Sequence, residues 1–292
     1  MSIDKLQTRI RKLKNPSVLD LSVMPEHIPS HLLQAHSTRA AAYQQFCEEL
    51  LTGLKDLIPA VRLSLSGCAV FGPDGLFVLS QLLHFARDCG NYVILDVPDA
   101  RSQMDAQRNA DELFGNETAF CFDGIITSAY IGSDGLRPYV EHSERNDRDV
   151  FVVTRTSNRS AQELQDLLTG SRLVHMATAD IVNRFSEAVV GRCGYSQVAA
   201  VAAAASPDSI KLLRGKYKNM FLLLDGYDYP NANAKNCSFA FDRLGHGAAA
   251  CAGLSIAAAW REAEGGGESF VPAALDAAER MKRNLTRYVT IL

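Results

Sequence analysis

The chain has 292 residues, with 30 Lys and Arg against 33 Asp and Glu, a formal net charge of -3 and an apolar fraction of 47%. This near-neutral balance, with basic residues scattered along the chain, argues against nucleic acid or an anionic membrane as a partner. No apolar run reaches the roughly 18 residues that cross a bilayer, and the N-terminus lacks the apolar core of a secretory signal, so we expect a cytoplasmic protein.

Eight short β-rich segments recur along the chain, and each ends in polar or turn residues. They lie at residues 17–23, 60–65, 92–97, 124–128, 150–156, 197–204, 220–226 and 248–255. Segments with helical periodicity lie between them, at residues 31–57, 76–89, 161–169, 178–190 and 272–288. The strands are near-continuous apolar runs, which is typical of strands that are covered on both faces of a parallel sheet. This α/β pattern predicts one (β/α)8 TIM barrel, as a single domain over residues 1–292.

The seven cysteines are widely spaced, lie mostly inside apolar segments and include no CxxC pair. The seven histidines are dispersed along the chain. The sequence therefore predicts buried free thiols and no metal site. In a barrel of this class, ligand chemistry lies on residues at the C-terminal ends of the strands. These candidates are Ser22, Arg62, Asp96, Arg101, Ser157, Asn158, Asp225, Gly226, Tyr227 and Asp228.

Four stretches carry a family resemblance. They are VFGPDGLFVLSQLLHFARDCGNYVILDV, FDGIITSAYIGSDGLRPYV, VFVVTRTSNRSAQELQDLL and FLLLDGYDYPNANAKNCSFAFDRLGHGAA. In this order and spacing they resemble the bacterial subfamily-2 orotidine 5'-phosphate decarboxylases over nearly the whole chain. That family removes CO2 from orotidine monophosphate without a metal or cofactor, and the resemblance therefore implies no cofactor here.

The resemblance also implies an active site that alternates two lysines and two aspartates. The family places a Lys at the end of the second strand and Asp-x-Lys-x-x-Asp at the end of the third, and the last Asp reaches across a dimer interface. In this chain the second-strand Lys is replaced by Arg62. The third-strand motif begins with Asp96, but Pro98 replaces its proton-donating Lys and Arg101 replaces its last Asp. A guanidinium holds its proton above a pH of about 12, so it is a poor general acid near neutrality.

The family's phosphate loop after the seventh strand is replaced here by Asp225, Gly226, Tyr227 and Asp228, and Leu254 stands where the family has a phosphate-binding Arg. Two carboxylates thus stand where a dianion would bind. Ser157 and Asn158 keep the family's base-recognition loop. In the ribose region, ungapped alignment places Ser22 at the family's Asp position, whereas a two-residue slip would place Asp20 there. The ungapped version is favoured, because Asn15-Pro16 upstream and Ile28-Pro29 downstream keep their register.

Several of these residues have a structural alternative. Asp96 is either a retained electrostatic residue or the partner of Arg62 in an ion pair inside the barrel mouth. Arg101 could pair with Asp99 or Asp105 at the surface, and Ser157 with Asn158 could bind a base or lie beside a helix cap. Asp225 and Asp228 form either a polar turn or a site for a cation or amine.

The favoured function is a pseudoenzyme that keeps the scaffold and dimer surface but has lost the catalytic array and the phosphate site. It would act as a binding, regulatory or structural partner. We expect a homodimer, with a heterodimer with an active homologue as a further form; the ligand is unassigned. One alternative is a barrel enzyme for a different, non-phosphorylated substrate, and another is an orotidine 5'-phosphate decarboxylase of UMP biosynthesis.

Overall fold

The computed structural model describes residues 1–292 and contains a closed barrel of eight parallel strands. In chain order the strands are β1 (Ser17–Asp20), β2 (Ala60–Ser64), β3 (Tyr92–Asp96), β4 (Gly124–Ser128), β5 (Asp149–Val153), β6 (Val198–Ala203), β7 (Leu222–Asp225) and β8 (Ala248–Ala252). Each pairs with its neighbours in sequence, and β1 pairs with β8 to close the barrel. This confirms the predicted (β/α)8 fold and all eight predicted strands.

The helices surround the barrel and connect consecutive strands. They are α1 (Ser2–Leu13), α2 (Ser30–Ala35), α3 (Arg39–Leu54), α4 (Leu65–Ala69), α5 (Pro73–Asp88), α6 (Gln103–Phe114), α7 (Ser133–Asn146), α8 (Val174–Ser186), α9 (Pro207–Lys216), α10 (Ala234–Ser238), α11 (Leu254–Ala257) and α12 (Phe270–Thr286). Short 3-10 turns lie at Pro25–His27, Arg159–Glu163, Ala259–Arg261 and Gly266–Ser269. No helix is both long enough and apolar enough to cross a membrane.

The barrel interior is filled by small and branched apolar side chains, so it is a packed core and not a channel. β6 and β8 are made almost entirely of alanine and valine, with every residue buried. Small side chains on these strands leave room for larger ones elsewhere, such as Phe151 and Phe221, whose rings meet edge to face at 6.3 Å between centroids.

Two predicted helices differ from the structure. The segment 31–57 is broken into α2 and α3, because Thr38 begins a new helix: its hydroxyl accepts a hydrogen bond from the Ala41 amide at 3.2 Å. The segment 161–169 is not an α-helix. It is a 3-10 turn followed by a two-stranded hairpin of Leu168–Thr169 and Arg172–Leu173.

Side-chain bonds hold this second segment against the end of β5. Gln165 accepts a hydrogen bond from the Thr156 amide at 2.8 Å, and Arg155 donates two to Asp166. Asn158 is the residue before the 3-10 turn, and its side chain makes no capping bond there. The helix cap expected beside Ser157 and Asn158 therefore does not begin an α-helix.

Candidate functional site

The carboxyl ends of four strands bring one arginine and three aspartates together. Arg62 on β2 donates to Asp225 at the end of β7, with 2.9 Å between Nη1 and Oδ1. It also donates to Asp96 at the end of β3, and its Nη1 lies 3.4 Å from an oxygen of Asp20 at the end of β1. The Arg62 side chain is only 16% exposed. Three carboxylates therefore share one largely buried guanidinium; below, these four residues are called the mouth cluster.

The electrostatics of the cluster fix the arginine in its charged form. Burial alone would lower the pKa of Arg62, but the carboxylates of Asp20, Asp225 and Asp96 outweigh it and raise that pKa. Burial raises the pKa of Asp96 and of Asp225, although Arg62 opposes the rise at both. Arg62 is thus a permanent counter-ion and has no proton to give near neutrality.

The sequence left two possibilities for Asp96, and the structure places it in an ion pair with Arg62. It also distinguishes Asp20 from Ser22 at the end of the first strand. Asp20, and not Ser22, points at the cluster, while Ser22 lies outside it on the rim, where its amide donates to Asp20 at 2.8 Å. The reason is local: β1 ends at Asp20 and the chain turns at once, with the Val23 amide bonded to the Leu21 carbonyl.

The loop after β7 uses its second carboxylate as a cap. Asp228 accepts hydrogen bonds from the backbone amides of Gly253 and Leu254, at 2.7 and 2.9 Å, where the chain leaves β8. In (β/α)8 enzymes the loops after the seventh and eighth strands frequently form the phosphate site. Here the amides of Gly253 and Leu254 already donate their hydrogen bonds to Asp228, a carboxylate of the chain itself.

Ser157 joins the loops that follow β5 and β7. Its hydroxyl donates to the Asp225 carbonyl at 2.7 Å. Gly226 next to it has a φ of +80°, and a Cβ there would lie 2.6 Å from the Ser157 hydroxyl oxygen, so this close approach requires glycine. The exposed Asn158 accepts from the Thr156 hydroxyl at 2.5 Å. Ser157 therefore has a structural partner, and Asn158 remains at the surface.

Two other predicted residues lie apart from the cluster. Arg101 is exposed and forms no ion pair, so the expected pairing with Asp99 or Asp105 is wrong; Asp105 pairs instead with Arg108 at 2.9 Å. Tyr227 packs against the hydrophobic core. The sequence also missed Cys251 on β8, whose thiol lies beside Asp20 and Asp225. Asp20, Asp225 and Cys251 lie on β1, β7 and β8, which come together only when the barrel closes.

A cavity of about 440 Å³ opens beside the cluster. Acidic residues dominate its polar wall, namely Asp20, Asp225 and Asp228, and Arg62 is the only basic residue that lines it. No lysine reaches it. A second, larger groove of about 640 Å³ lies outside the mouth on the rim, between the loop that carries Ser22 and the start of α5.

The fold and this charged mouth define a (β/α)8 barrel with its polar residues at the carboxyl ends of the strands. Sequence comparison relates it to a particular family. The chain is 27% identical over 287 residues to the orotidine 5'-phosphate decarboxylase of Petrotoga mobilis, covering 98% of both chains. It is 28% identical to that of Rhodopirellula baltica over 84% of both. The predicted resemblance to the orotidine 5'-phosphate decarboxylases is therefore confirmed over most of the chain, whereas the bacterial subfamily stays a prediction.

Solved structures agree on the fold. The orotidine 5'-monophosphate decarboxylase of Plasmodium berghei superposes with a TM-score of 0.76 at 11% identity, covering 97% of this chain and 98% of that one. The Leishmania donovani OMP decarboxylase gives 0.70 at 21% identity, over 97% and 99%. No family model matches the chain.

Proposed function

We propose that this protein is a pseudoenzyme of the orotidine 5'-phosphate decarboxylase type, which acts as a binding, regulatory or structural partner. The mouth cluster carries the proposal. Its basic residue is Arg62, which three carboxylates hold in the charged form, and no lysine lines the mouth. A decarboxylase of this family needs an ammonium group that can protonate the ring carbon, and a guanidinium held in this way is a poor source of that proton.

The loops around the mouth support the same proposal. A bound phosphate would meet Asp225 and Asp228, and each pair of like charges about 5 Å apart costs roughly 3 kcal/mol at an effective dielectric near 20. Two of the amides that could bind an anion already donate to Asp228. A 5'-phosphorylated nucleotide would therefore bind far more weakly than in a site with an arginine clamp.

The rim supports the proposal of a homodimer. Apolar side chains are exposed along the ends of β2, β3 and β4, which are adjacent in the barrel. They include Val70, Phe77, Met104, which is 75% exposed, and Tyr130, which is 83% exposed. Exposed apolar patches of this kind often mark interaction surfaces.

A heterodimer with an active homologue is the regulatory form of this proposal. Arg101 lies on the same rim without a partner, and it would enter the neighbouring site in place of the family's aspartate. The active partner would then lose turnover in proportion to the mixed dimer. Unchanged turnover on mixing, with no mixed dimer in native mass spectrometry, would exclude this form.

A direct assay tests the loss of catalysis. Purified protein is compared with the Petrotoga mobilis relative by the absorbance change of orotidine monophosphate, and we expect turnover lower by several powers of ten. A thermal-shift titration with uridine and orotidine monophosphates runs in parallel. A ligand that binds only the native state raises the melting temperature. We therefore expect no shift at millimolar nucleotide, because the proposed function implies that these nucleotides do not bind. Turnover within a few powers of ten of the relative would instead favour a working decarboxylase.

One observation favours a second candidate function. The cavity of about 440 Å³ is large enough for a small ligand, and its acidic wall suits an uncharged or amine-bearing compound better than a phosphate. A barrel enzyme for a non-phosphorylated substrate would use this space. A thermal-shift screen of small amines and uncharged nucleosides tests it, and the absence of any shift would leave the pseudoenzyme as the better account.

A further inference from the structure

We propose that Asp20, Asp225 and Cys251 form a binding site for a thiophilic divalent cation, of which Zn²⁺ is the typical case. One ligand atom from each residue lies within 4.8 Å of the others. The three residues come from β1, β7 and β8, which are consecutive around the barrel. The inference goes beyond the proposed function and does not depend on it.

The thiol is the observation that separates this site from an ordinary acidic cluster. Cys251 is 2% exposed, and its thiol lies beside a carboxylate oxygen of Asp20 and one of Asp225, with Arg62 also close to it. A buried cysteine is usually surrounded by apolar atoms. This one faces two carboxylates at the wall of a cavity, which is an arrangement that a metal ion would explain.

The charge of the mouth cluster leaves room for a second cation. Three carboxylates face the single guanidinium of Arg62, so formal negative charge remains in a largely buried site. Asp225 uses Oδ1 for Arg62, and its Oδ2 makes no side-chain hydrogen bond. A carboxylate can bond an arginine through one oxygen and a metal through the other, since its two oxygens offer about four lone-pair positions. Arg62, which contacts Asp20 and Asp225, would then hold both carboxylates in position for the metal.

The donor set selects the metal. One thiolate with two carboxylates suits Zn²⁺ or Co²⁺, whereas Mg²⁺ prefers oxygen ligands alone. Three protein ligands leave a fourth position, as in open zinc sites, and the adjacent cavity could supply a water molecule to it. Binding replaces the S–H bond by an S–metal bond, so one proton leaves to solvent for each metal bound.

The test uses the full chain, stripped with a chelator and titrated with Co²⁺ and then Zn²⁺. We expect one equivalent of Co²⁺ to bind with release of one proton and a thiolate-to-cobalt charge-transfer band in the near ultraviolet, and Zn²⁺ to displace it with loss of the band and no further proton release. Mg²⁺ should not compete. No binding, or a bound cobalt without a thiolate band, would overturn the proposal.

Two variants assign the sulfur. Cys251→Ser should abolish the charge-transfer band and weaken binding by more than about tenfold, because even the loss of a residue behind a ligand costs that much. Cys237→Ser is the matched control, a buried thiol outside the cluster, and should keep the band. The band surviving in Cys251→Ser would contradict the assignment.

X-ray absorption of the zinc-loaded unsubstituted protein keeps the test decisive should Cys251→Ser fail to fold. We expect one sulfur neighbour at about 2.3 Å. A shell of oxygen and nitrogen alone would reject the site, whatever the variants do.

Discussion

The two ends of the barrel handle buried charge in opposite ways. At the amino end, polar groups of α1 bond residues next to the strands: Lys5 pairs with Asp123 at 2.7 Å, and the Ser2 amide donates to Asp147 at 2.9 Å. The deeply buried Asp149 bonds the Tyr92 hydroxyl, and burial raises the pKa of its carboxyl well above the ordinary value. At this end charged groups are paired, and burial disfavours the charged form of Asp149.

The carboxyl end keeps its charge. Three carboxylates share Arg62 beside an open cavity, and no second basic side chain balances them. Evolution tolerates such an imbalance mainly where a site binds something, whereas the opposite face of a (β/α)8 barrel serves stability. The contrast teaches where a ligand should be sought, namely at the acidic mouth of the barrel.

The largest expected effect comes from Arg62→Ala. This substitution leaves three carboxylates without their counter-ion, and removal of one partner from a buried ion pair costs about 3–5 kcal/mol. Urea unfolding near pH 7 measures it. Arg108→Ala removes the exposed pair with Asp105 and serves as the control, with an expected change below about 1 kcal/mol. Equal, small losses in the free energy of unfolding for both variants would mean that the carboxylates of the mouth cluster do not need Arg62 as a counter-ion.

The buried carboxyl of Asp149 at the amino end should make the free energy of unfolding depend on pH. An acid whose pKa is raised on folding binds more protons in the native state, so stability falls as pH rises from the ordinary value of 3.8 towards the raised pKa. Asp149→Asn keeps an acceptor for the Tyr92 hydroxyl but cannot ionise. We expect it to remove a slope of up to about 1.4 kcal/mol per pH unit in that window.

Denaturant unfolding at a series of pH values measures this slope. Asp208→Asn is the control, because the Asp208 carboxylate is 90% exposed and its substitution should leave the slope intact. An unchanged slope in Asp149→Asn would show that the carboxyl is ionised in the native barrel across the window.

The smallest effect is expected at Asp228. Asp228→Ala frees the amides of Gly253 and Leu254 and should cost about 1 kcal/mol, as the loss of a side-chain cap does. Asp228→Asn keeps an acceptor oxygen and should cost clearly less. Thermal unfolding of both variants compares them. Equal stability of the alanine variant and the unsubstituted protein would show that solvent satisfies those amides equally well.

The barrel could be predicted because each of its strands is marked by a short, local pattern in the sequence. Each strand is a short apolar run closed by polar residues, and β4 was predicted at residues 124–128, the bounds that the structure has. The segment 161–169 failed for the opposite reason: its apolar spacing resembles a helix, but Gln165 and Asp166 bond residues at the end of β5 instead.

The site was only partly predictable. Arg62, Asp96 and Asp225 are predicted as site residues from their positions at strand ends. The ion pair of Arg62 with Asp96 is one of the two alternatives that the sequence offers for Asp96. The sequence favours Ser22 over Asp20, but the structure places Asp20 in the cluster. Residues two apart point to the same face of a strand, so the choice depends on where β1 ends. Cys251 is an apolar-looking strand residue until β1 and β7 are placed on either side of β8.

The bond between Ser157 and the carbonyl of Asp225 links the loop after β5 to the loop after β7. With Asp228 bonded to the amides beyond β8, three connections around the mouth are anchored to one another. An anion pocket at this place would thus demand coordinated changes in all of them, since any single replacement still leaves the other bonds intact.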